Sequence, residues 1–182
     1  MSEKESMPAA GKLLVAQPLL GDPNFDRTVV LLIEHNNEGA LGFVVNHPMD
    51  IKLEDLLVGF PEIHNKVFSG GPVQQDNLFF IHRKGDLIPG SQKIGNGLYW
   101  GGELKPLKEM IRMNLVQEDD IRFYLGYSGW GANQLEMEMA EDSWLVLDGD
   151  LVNIFEDEPE EMWTKILKRQ GGDFTLWANS PF

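Results

Sequence analysis

Apolar residues in this chain come in short runs broken by glycine, asparagine and aspartate, a spacing that predicts strands joined by tight turns with a few helices between them. Lys12 to Gln17 is the first such run. After the turn residues Gly21, Asp22, Pro23 and Asn24, the segment Thr28 to Ile33 is apolar at every position from Val29 on, which suits a strand buried on both faces. Asn36 to Gly39 then reads as a turn and Leu41 to Val45 as a returning strand, a hairpin that brings His35 close to Ala40. Asp50 is placed to cap a short helix bearing Leu53, Leu56, Leu57 and Phe60, with Pro61 beyond its end. Val67 and Phe68 lead into Ser69, Gly70, Gly71 and Pro72, Leu78 to Ile81 is a buried strand ending at His82, and Ile94 to Tyr99 reads as one more.

Helical spacing appears next. Leu104, Leu107, Ile111 and Leu115 recur at helix period over 103–115, and Ile121 to Tyr127 returns to a strand pattern. Leu135 to Met139 fits either period, but Asn133 offers an N-cap and Gln134, Leu135, Glu136 and Met137 are good helix formers, which favours helix. Trp144 to Leu147 and Leu151 to Phe155 flank Asp148, Gly149 and Asp150 as a second hairpin. Asp157, Pro159, Glu160 and Glu161 open a final helix with Met162, Trp163, Ile166 and Leu167 inward and Gly171 closing it. Hairpins mixed with separate helices make an α+β domain.

Length and composition narrow this further. At 182 residues the chain forms one domain over 1–182, with the first ten residues expected to be flexible. It has no cysteine, so it holds neither a disulfide framework nor a thiol nucleophile, which fits a cytoplasmic protein. The N-terminal apolar stretch is short and flanked by acid, unlike a signal peptide, and no run approaches the roughly 20 apolar residues that span a bilayer. Fifteen Lys and Arg stand against 29 Asp and Glu, a net charge of -14, with a denser acidic stretch from Glu156 to Glu161. Nucleic-acid binding draws its affinity from clustered cations, and the one basic cluster, Lys165, Lys168 and Arg169, lies where it complements the dipole of the final helix. Nucleic acid is therefore not an expected partner, nor is a membrane.

Candidate chemistry is thin. Among the four histidines, His35 and His47 cannot share an ion: His47 lies seven residues past the partner of His35, roughly 23 Å of strand. His35 with His82 is not required by any spacing, so no metal and no cofactor is expected, and the histidines read as structural. Ser128, in Gly126-Tyr127-Ser128-Gly129-Trp130, superficially matches a nucleophile elbow. Trp130 stands where the elbow needs its second glycine, and no histidine follows Ser128, so it reads as a turn or capping residue. Gly95, Gly97 and Gly101 miss the dinucleotide spacing at Trp100. Ser69, Gly70 and Gly71 offer amides to an anion, but Pro72 removes a donor, which favours a structural turn. Glu136 and Glu138 diverge on a helix and read as a solvated face.

Three glycine-punctuated blocks carry the remaining information: GALGFVVNHP at 39–48, SGGPVQQDNLFFIH at 69–82 and GYSGWGANQLEMEM at 126–139. These blocks, and the chain from Gly11 to near Gly172, resemble the YqgE/AlgH family of small bacterial proteins. The resemblance implies a strongly curved, mixed, mostly antiparallel sheet with helices packed on its faces. It assigns no reaction and no catalytic residue; the family is sometimes labelled as transcriptional regulators.

The polar residues beside the glycine breaks are the candidate ligand-binding set: Glu34, His35, Asn46, Ser69, Gly70, Gly71, His82, Tyr127, Trp130 and Gln134. They either converge on a pocket at the strand ends or satisfy stray backbone groups of an irregular sheet. The leading functional expectation is a non-catalytic cytosolic accessory or regulatory protein that binds a protein partner. Its alternatives are a small-ligand binder or enzyme using the strand-end set, and a DNA-binding regulator, against which the acidity argues.

Overall fold

The computed structural model describes residues 7–18 and 22–179. In chain order the elements are β1 (Leu13–Ala16), β2 (Val29–Asn36), β3 (Gly39–Val44), β4 (Pro48–Lys52), α1 (Leu53–Leu56), β5 (Lys66–Ser69), β6 (Val73–His82), β7 (Gln92–Gly95), β8 (Leu98–Trp100), α2 (Leu104–Arg112), β9 (Ile121–Gly131), α3 (Gln134–Ala140), β10 (Trp144–Leu147), α4 (Pro159–Gln170) and α5 (Asp173–Ala178). The strands join in one sheet ordered β10-β1-β2-β3-β9-β6-β8-β7, with β4 and β5 branching off β9. Among the described residues only the β5–β9 pairing is parallel. The fold is the α+β arrangement that the strand and helix patterns predict, with the mixed, mostly antiparallel sheet that the resemblance implies.

The sheet is organised by β9, the strand of 11 residues at its centre. Residues 123–125 of β9 are paired on one edge by β5 and on the other by β6, so the connection between β5 and β6 must cross β9. It does so through Gly70, Gly71 and Pro72 alone. The Gly70 N–H bonds to the Leu125 carbonyl at 2.8 Å, and its carbonyl receives the Val44 N–H at 2.9 Å. A Cβ on Gly71, whose φ is +149°, would lie 2.3 Å from the backbone of Tyr127, and one on Gly126 would lie 2.6 Å from the Gly71 oxygen. Backbone passes backbone at this crossing with no room for a side chain, which is why two of the glycine blocks exist.

Three apolar clusters cover the sheet. Leu13, Val15, Leu31, Ile33 and Phe43 pack under α4, through Met162, Trp163, Ile166 and Leu167. The alternate residues Leu14, Ala16, Val30, Leu32 and Val44 pack on the opposite face with Leu135 of α3 and Trp144. With helices on both faces, β1 and residues 29–33 of β2 have no solvated side, and this accounts for their unbroken apolar runs. Around the first half of β9, Phe80, Ile121 and Phe123 pack with Leu53 of α1 and with Leu107 and Ile111 of α2.

Several local expectations are corrected. Asp50 caps nothing: 48–52 is a strand, α1 has only four residues, and its N-cap, Lys52, makes no side-chain capping bond. Ile94 to Tyr99 is not one strand but the hairpin of β7 and β8, turned by Asn96 and Gly97, both at positive φ. That pair is the residue type a two-residue hairpin loop demands. β9 runs on through Gly131 because β3 pairs with it from Gly42 opposite Ser128 to Gly39 opposite Gly131, so Ser128 is a buried strand residue, not a turn. Asn133 precedes α3 at φ 62° without a side-chain cap. Leu151 to Phe155 forms no strand; β10 pairs with β1, and the chain from Gly149 turns through a short 3-10 segment into a loop. A further short helix, α5, follows Gly171. Of the first ten residues, 1–6 lie outside the described residues, as does Gly21 of the first predicted turn, while Pro8 is buried and Ala9 accepts a bond from the Lys12 N–H at 3.1 Å.

Candidate functional site

The ten candidate residues occupy three separate places. His82 pairs with Ile121 at one end of β9 and Trp130 with Ala40 near the other, nine residues or roughly 30 Å of strand apart. Between them lie Ser69, Gly70, Gly71 and Tyr127, all at the crossing. There the Ser69 N–H donates to the His47 carbonyl at 2.9 Å, and Tyr127 packs edge-on against Phe79 with ring centroids 5.8 Å apart. Asn46, buried, ties off the start of β2: its Oδ1 accepts the Val29 N–H and its Nδ2 donates to the Arg27 carbonyl, each at 2.9 Å. Ser128 donates to the Gly70 carbonyl at 3.2 Å, and no histidine bonds to it. It is a hydroxyl spent on the crossing.

His82 is wholly buried. Its Nδ1 accepts the Lys84 N–H at 3.2 Å, which leaves the proton on Nε2, 2.7 Å from Ser91 Oγ. Ser91 in turn donates to the Ile88 carbonyl at 2.7 Å. The imidazole thus donates to the serine and cannot take its proton, so the pair has the contacts of a nucleophile and base but the opposite polarity. Burial lowers the His82 pKa, against a smaller opposing effect of the Gly101 carbonyl. Burial also lowers that of His47, with Asp26 opposing.

The sign of the resulting pH dependence follows. Both histidines bind a proton less readily folded than unfolded, so their stability contribution is full above the unfolded pKa of about 6.5 and is lost as pH falls toward the folded values. Unfolding free energy should drop between pH 7 and 5, by at most about 1.4 kcal/mol per pH unit for each histidine. Urea unfolding of the protein and of His82→Gln checks this, the variant showing the shallower slope; ring nitrogen shifts by NMR should show the Nε2–H tautomer throughout the neutral range.

At the other end, His35 Nε2 lies 2.7 Å from Glu136 Oε1 of α3, and this bond leads the influences that hold the Glu136 carboxyl below the usual range. Glu136 is therefore not merely solvated. Nor is Glu138, whose Oε1 receives the Trp144 indole N–H at 3.4 Å. Gln134 accepts the Gly131 N–H at 2.9 Å. Trp130 is mostly core, stacked on Phe25 at 6.0 Å and edge-on to Trp144 at 5.9 Å. Glu34 and Trp130 share only a shallow depression of about 200 Å³ with the β2–β3 turn. Among the described residues no group of three or more His, Asp or Glu is placed to hold a metal ion.

A concave feature that contains none of the ten candidates lies between the β7–β8 turn and the loop after β10. This cleft, of about 470 Å³, is lined by Arg83, Asn96, Asn153, Asp157 and Arg169 over an apolar floor that includes Leu98 and Phe155. Its far wall is held by Arg122, which donates to the carbonyls of Ile154 and Phe155. The rim at Gly149 is a backbone contact: a Cβ there would lie 2.0 Å from the Gly11 oxygen and 3.0 Å from Asn96 Nδ2. Arg83 bonds through Nε to Asp120 at 3.1 Å, and Arg169 through Nη1 to the Leu151 carbonyl at 2.9 Å. Burial pushes the Asp120 carboxyl up, but the Gln117 N–H, Arg83 and Lys84 together outweigh it and hold it below the usual range. Sequence reasoning missed this site because Arg169 has a sufficient local role at a helix end; the Asn96-Gly97 hairpin turn was its one local signal.

Comparison with known proteins follows the same lines. A UPF0301 protein of Chlorobaculum parvum is 43% identical over 181 residues, covering 100% of this chain and 97% of that protein. One from Cytophaga hutchinsonii is 41% identical over 172 residues, 94% of each. The solution structure of the AlgH protein from Pseudomonas aeruginosa superposes with a TM-score of 0.75 at 32% identity, over 99% of both chains. A crystal structure from Corynebacterium diphtheriae, at 20% identity and a TM-score of 0.79 over 98% of this chain and 96% of that one, shares the fold. The sequence model of the AlgH-like family matches residues 13–175, which takes in the crossing glycines, both arginines of the cleft and the whole sheet, and the chain belongs to that family.

Proposed function

We propose that this protein is a non-catalytic accessory or regulatory protein of the cytosol that acts by binding a protein partner. The observation that carries the reading is an apolar surface beside α1 and α2. Val58 is 96% exposed and Met113 66%, with Leu56 and Leu115 also exposed. The segments that bear them form one layer, sharing the cluster of Leu53, Leu57, Phe60, Leu107 and Ile111, and the His64 N–H binds Glu118 across them at 2.7 Å. Exposed Glu54, Asp55, Glu103, Glu109, Glu118 and Asp119 stand on the same segments beside exposed Lys52, Lys105 and Arg112, of which Lys52 lies 3.9 Å from Glu54 and Arg112 pairs with Glu109. Apolar side chains set among exposed charges with acid in excess suit a partner that offers an apolar ridge with Lys and Arg beside it.

The spent hydrogen bonds of His82, Ser91 and Ser128 support the non-catalytic part of the reading. A net charge of -14 supports a basic partner and weighs against DNA. A second reading, a small-ligand binder, draws on the arginine-lined cleft.

A photo-crosslinking residue at position 58 in cells is expected to trap one discrete protein carrying a basic-flanked apolar segment. Met113→Glu should lower that adduct about tenfold, the effect of about 1.4 kcal/mol. The same crosslinker at Glu141, the exposed residue that follows α3, should not form it. Absence of an adduct, or the same set of adducts from both positions, rejects the proposed surface.

A further inference from the structure

We propose that the cleft between the β7–β8 turn and the loop after β10 binds a small organic anion, gripping one carboxylate or phosphate group between Arg83 and Arg169. The inference is independent of the partner surface on α1 and α2 and stands or falls separately. Two guanidiniums line this cleft together with Asp150 and Asp157 and form an ion pair with neither. Arg83 reaches a carboxylate only outside the cleft, through Nε to Asp120, and among the described residues its two terminal nitrogens have no hydrogen-bond partner. Arg169 spends Nη1 on the Leu151 carbonyl and has Nη2 and Nε to offer.

Both groups are held before any ligand arrives. The Arg83 guanidinium lies over the Phe155 ring at 5.3 Å and is pinned at Nε, so its outer fork is fixed in plane; Arg169 is anchored by its carbonyl bond. A guanidinium whose orientation is already set loses little entropy in accepting an oxyanion, and its fork matches two oxygens of a carboxylate or phosphate. Asn153 adds a donor: its Oδ1 accepts the Phe155 N–H at 3.0 Å, which leaves the amide N–H₂ for a ligand. The acids set the limit on charge. Asp157, bonded to the Asn153 N–H at 2.8 Å, and Asp150 would repel a second negative group, so the cleft favours a singly charged ligand with an apolar body for Leu98 and Leu151 over a polyanion.

The test is a titration of the isotope-labelled protein, followed by amide shifts, with inorganic phosphate in one arm and butyrate in the other. Saturable shifts at Asn96, Gly97, Asn153 and Phe155 are expected in at least one arm, and the stronger arm names the source of the oxyanion. Arg169→Gln, at an exposed position, should weaken that binding about tenfold. Arg112→Gln, which removes an exposed pair with Glu109 elsewhere, should leave it unchanged. Tripolyphosphate should bind no tighter than phosphate. Lack of saturable shifts in both arms, or cleft shifts that survive Arg169→Gln intact, overturns the proposal.

Discussion

Gly71→Ala is expected to abolish the cooperative fold, or to cost at least about 4 kcal/mol if any folded protein is recovered. Domains of this size hold only about 5–15 kcal/mol in total, so such a loss leaves little. The cost has two sources at one atom. A Cβ would lie 2.3 Å from both the carbon and the oxygen of Tyr127 and 2.4 Å from Ser128 Oγ, and the residue sits at φ +149°, where side chains are disfavoured. Neither neighbour can yield cheaply, since both belong to β9 at the centre of the sheet. Relief requires moving the crossing chain away from β9, which breaks the Gly70 N–H bond to Leu125 and the Ser128 bond to Gly70. Gly59→Ala is the control: φ there is +73°, but nothing lies within 4 Å of its Cβ, so only the left-handed penalty of about 1 kcal/mol is paid. Urea unfolding of the two variants checks the difference. A Gly71→Ala protein that unfolds at the unsubstituted midpoint would mean that the backbones do not pass in contact there.

Trp163→Ala should cost about 3–5 kcal/mol, the usual range for deleting a buried large aromatic side chain. Trp163 lies inside the cluster between α4 and the sheet, and its indole N–H donates at 2.8 Å to the Ala16 carbonyl of β1, 147 residues away in sequence. It therefore fastens the last long helix to the first strand by packing and by a buried bond at once. Trp163→Phe separates the two parts: most of the volume is kept, the Ala16 carbonyl loses its donor, and a loss of about 1–3 kcal/mol is expected. Equal losses in both variants would assign the whole effect to the bond; no loss in the phenylalanine variant would assign it to packing.

How much of this was legible depends on how local each energy is. The β2–β3 hairpin was readable because both strands and their turn lie within one short segment, down to His35 opposite Ala40. The inward face of α4 was readable from its apolar spacing, and Met162, Trp163, Ile166 and Leu167 are all buried. Leu151 to Phe155 misled, since a run of apolar residues looks the same whether it pairs as a strand or, as here, packs as a loop whose carbonyls are taken by Arg122 and Arg169. Ser128 and Trp130 misled for the converse reason: a glycine-rich stretch reads as a turn until β3 lies beside it and supplies the pairing.

The candidate site divides the same way. Residue types beside the glycine breaks are visible in the sequence, but whether they converge depends on the length and partners of β9, which separates His82 from Trp130. By itself the sequence determined the class of fold, the family resemblance, the acidic charge and which segments are buried, because each of these is written in side-chain chemistry and short-range spacing. Only the tertiary structure decided that the glycines serve a backbone crossing, that His35, His82, Ser91 and Ser128 are already bonded, and that Arg83 and Arg169 face one cleft. Those outcomes are set by contacts between segments distant in the chain, and local spacing carries no information about where two such segments meet.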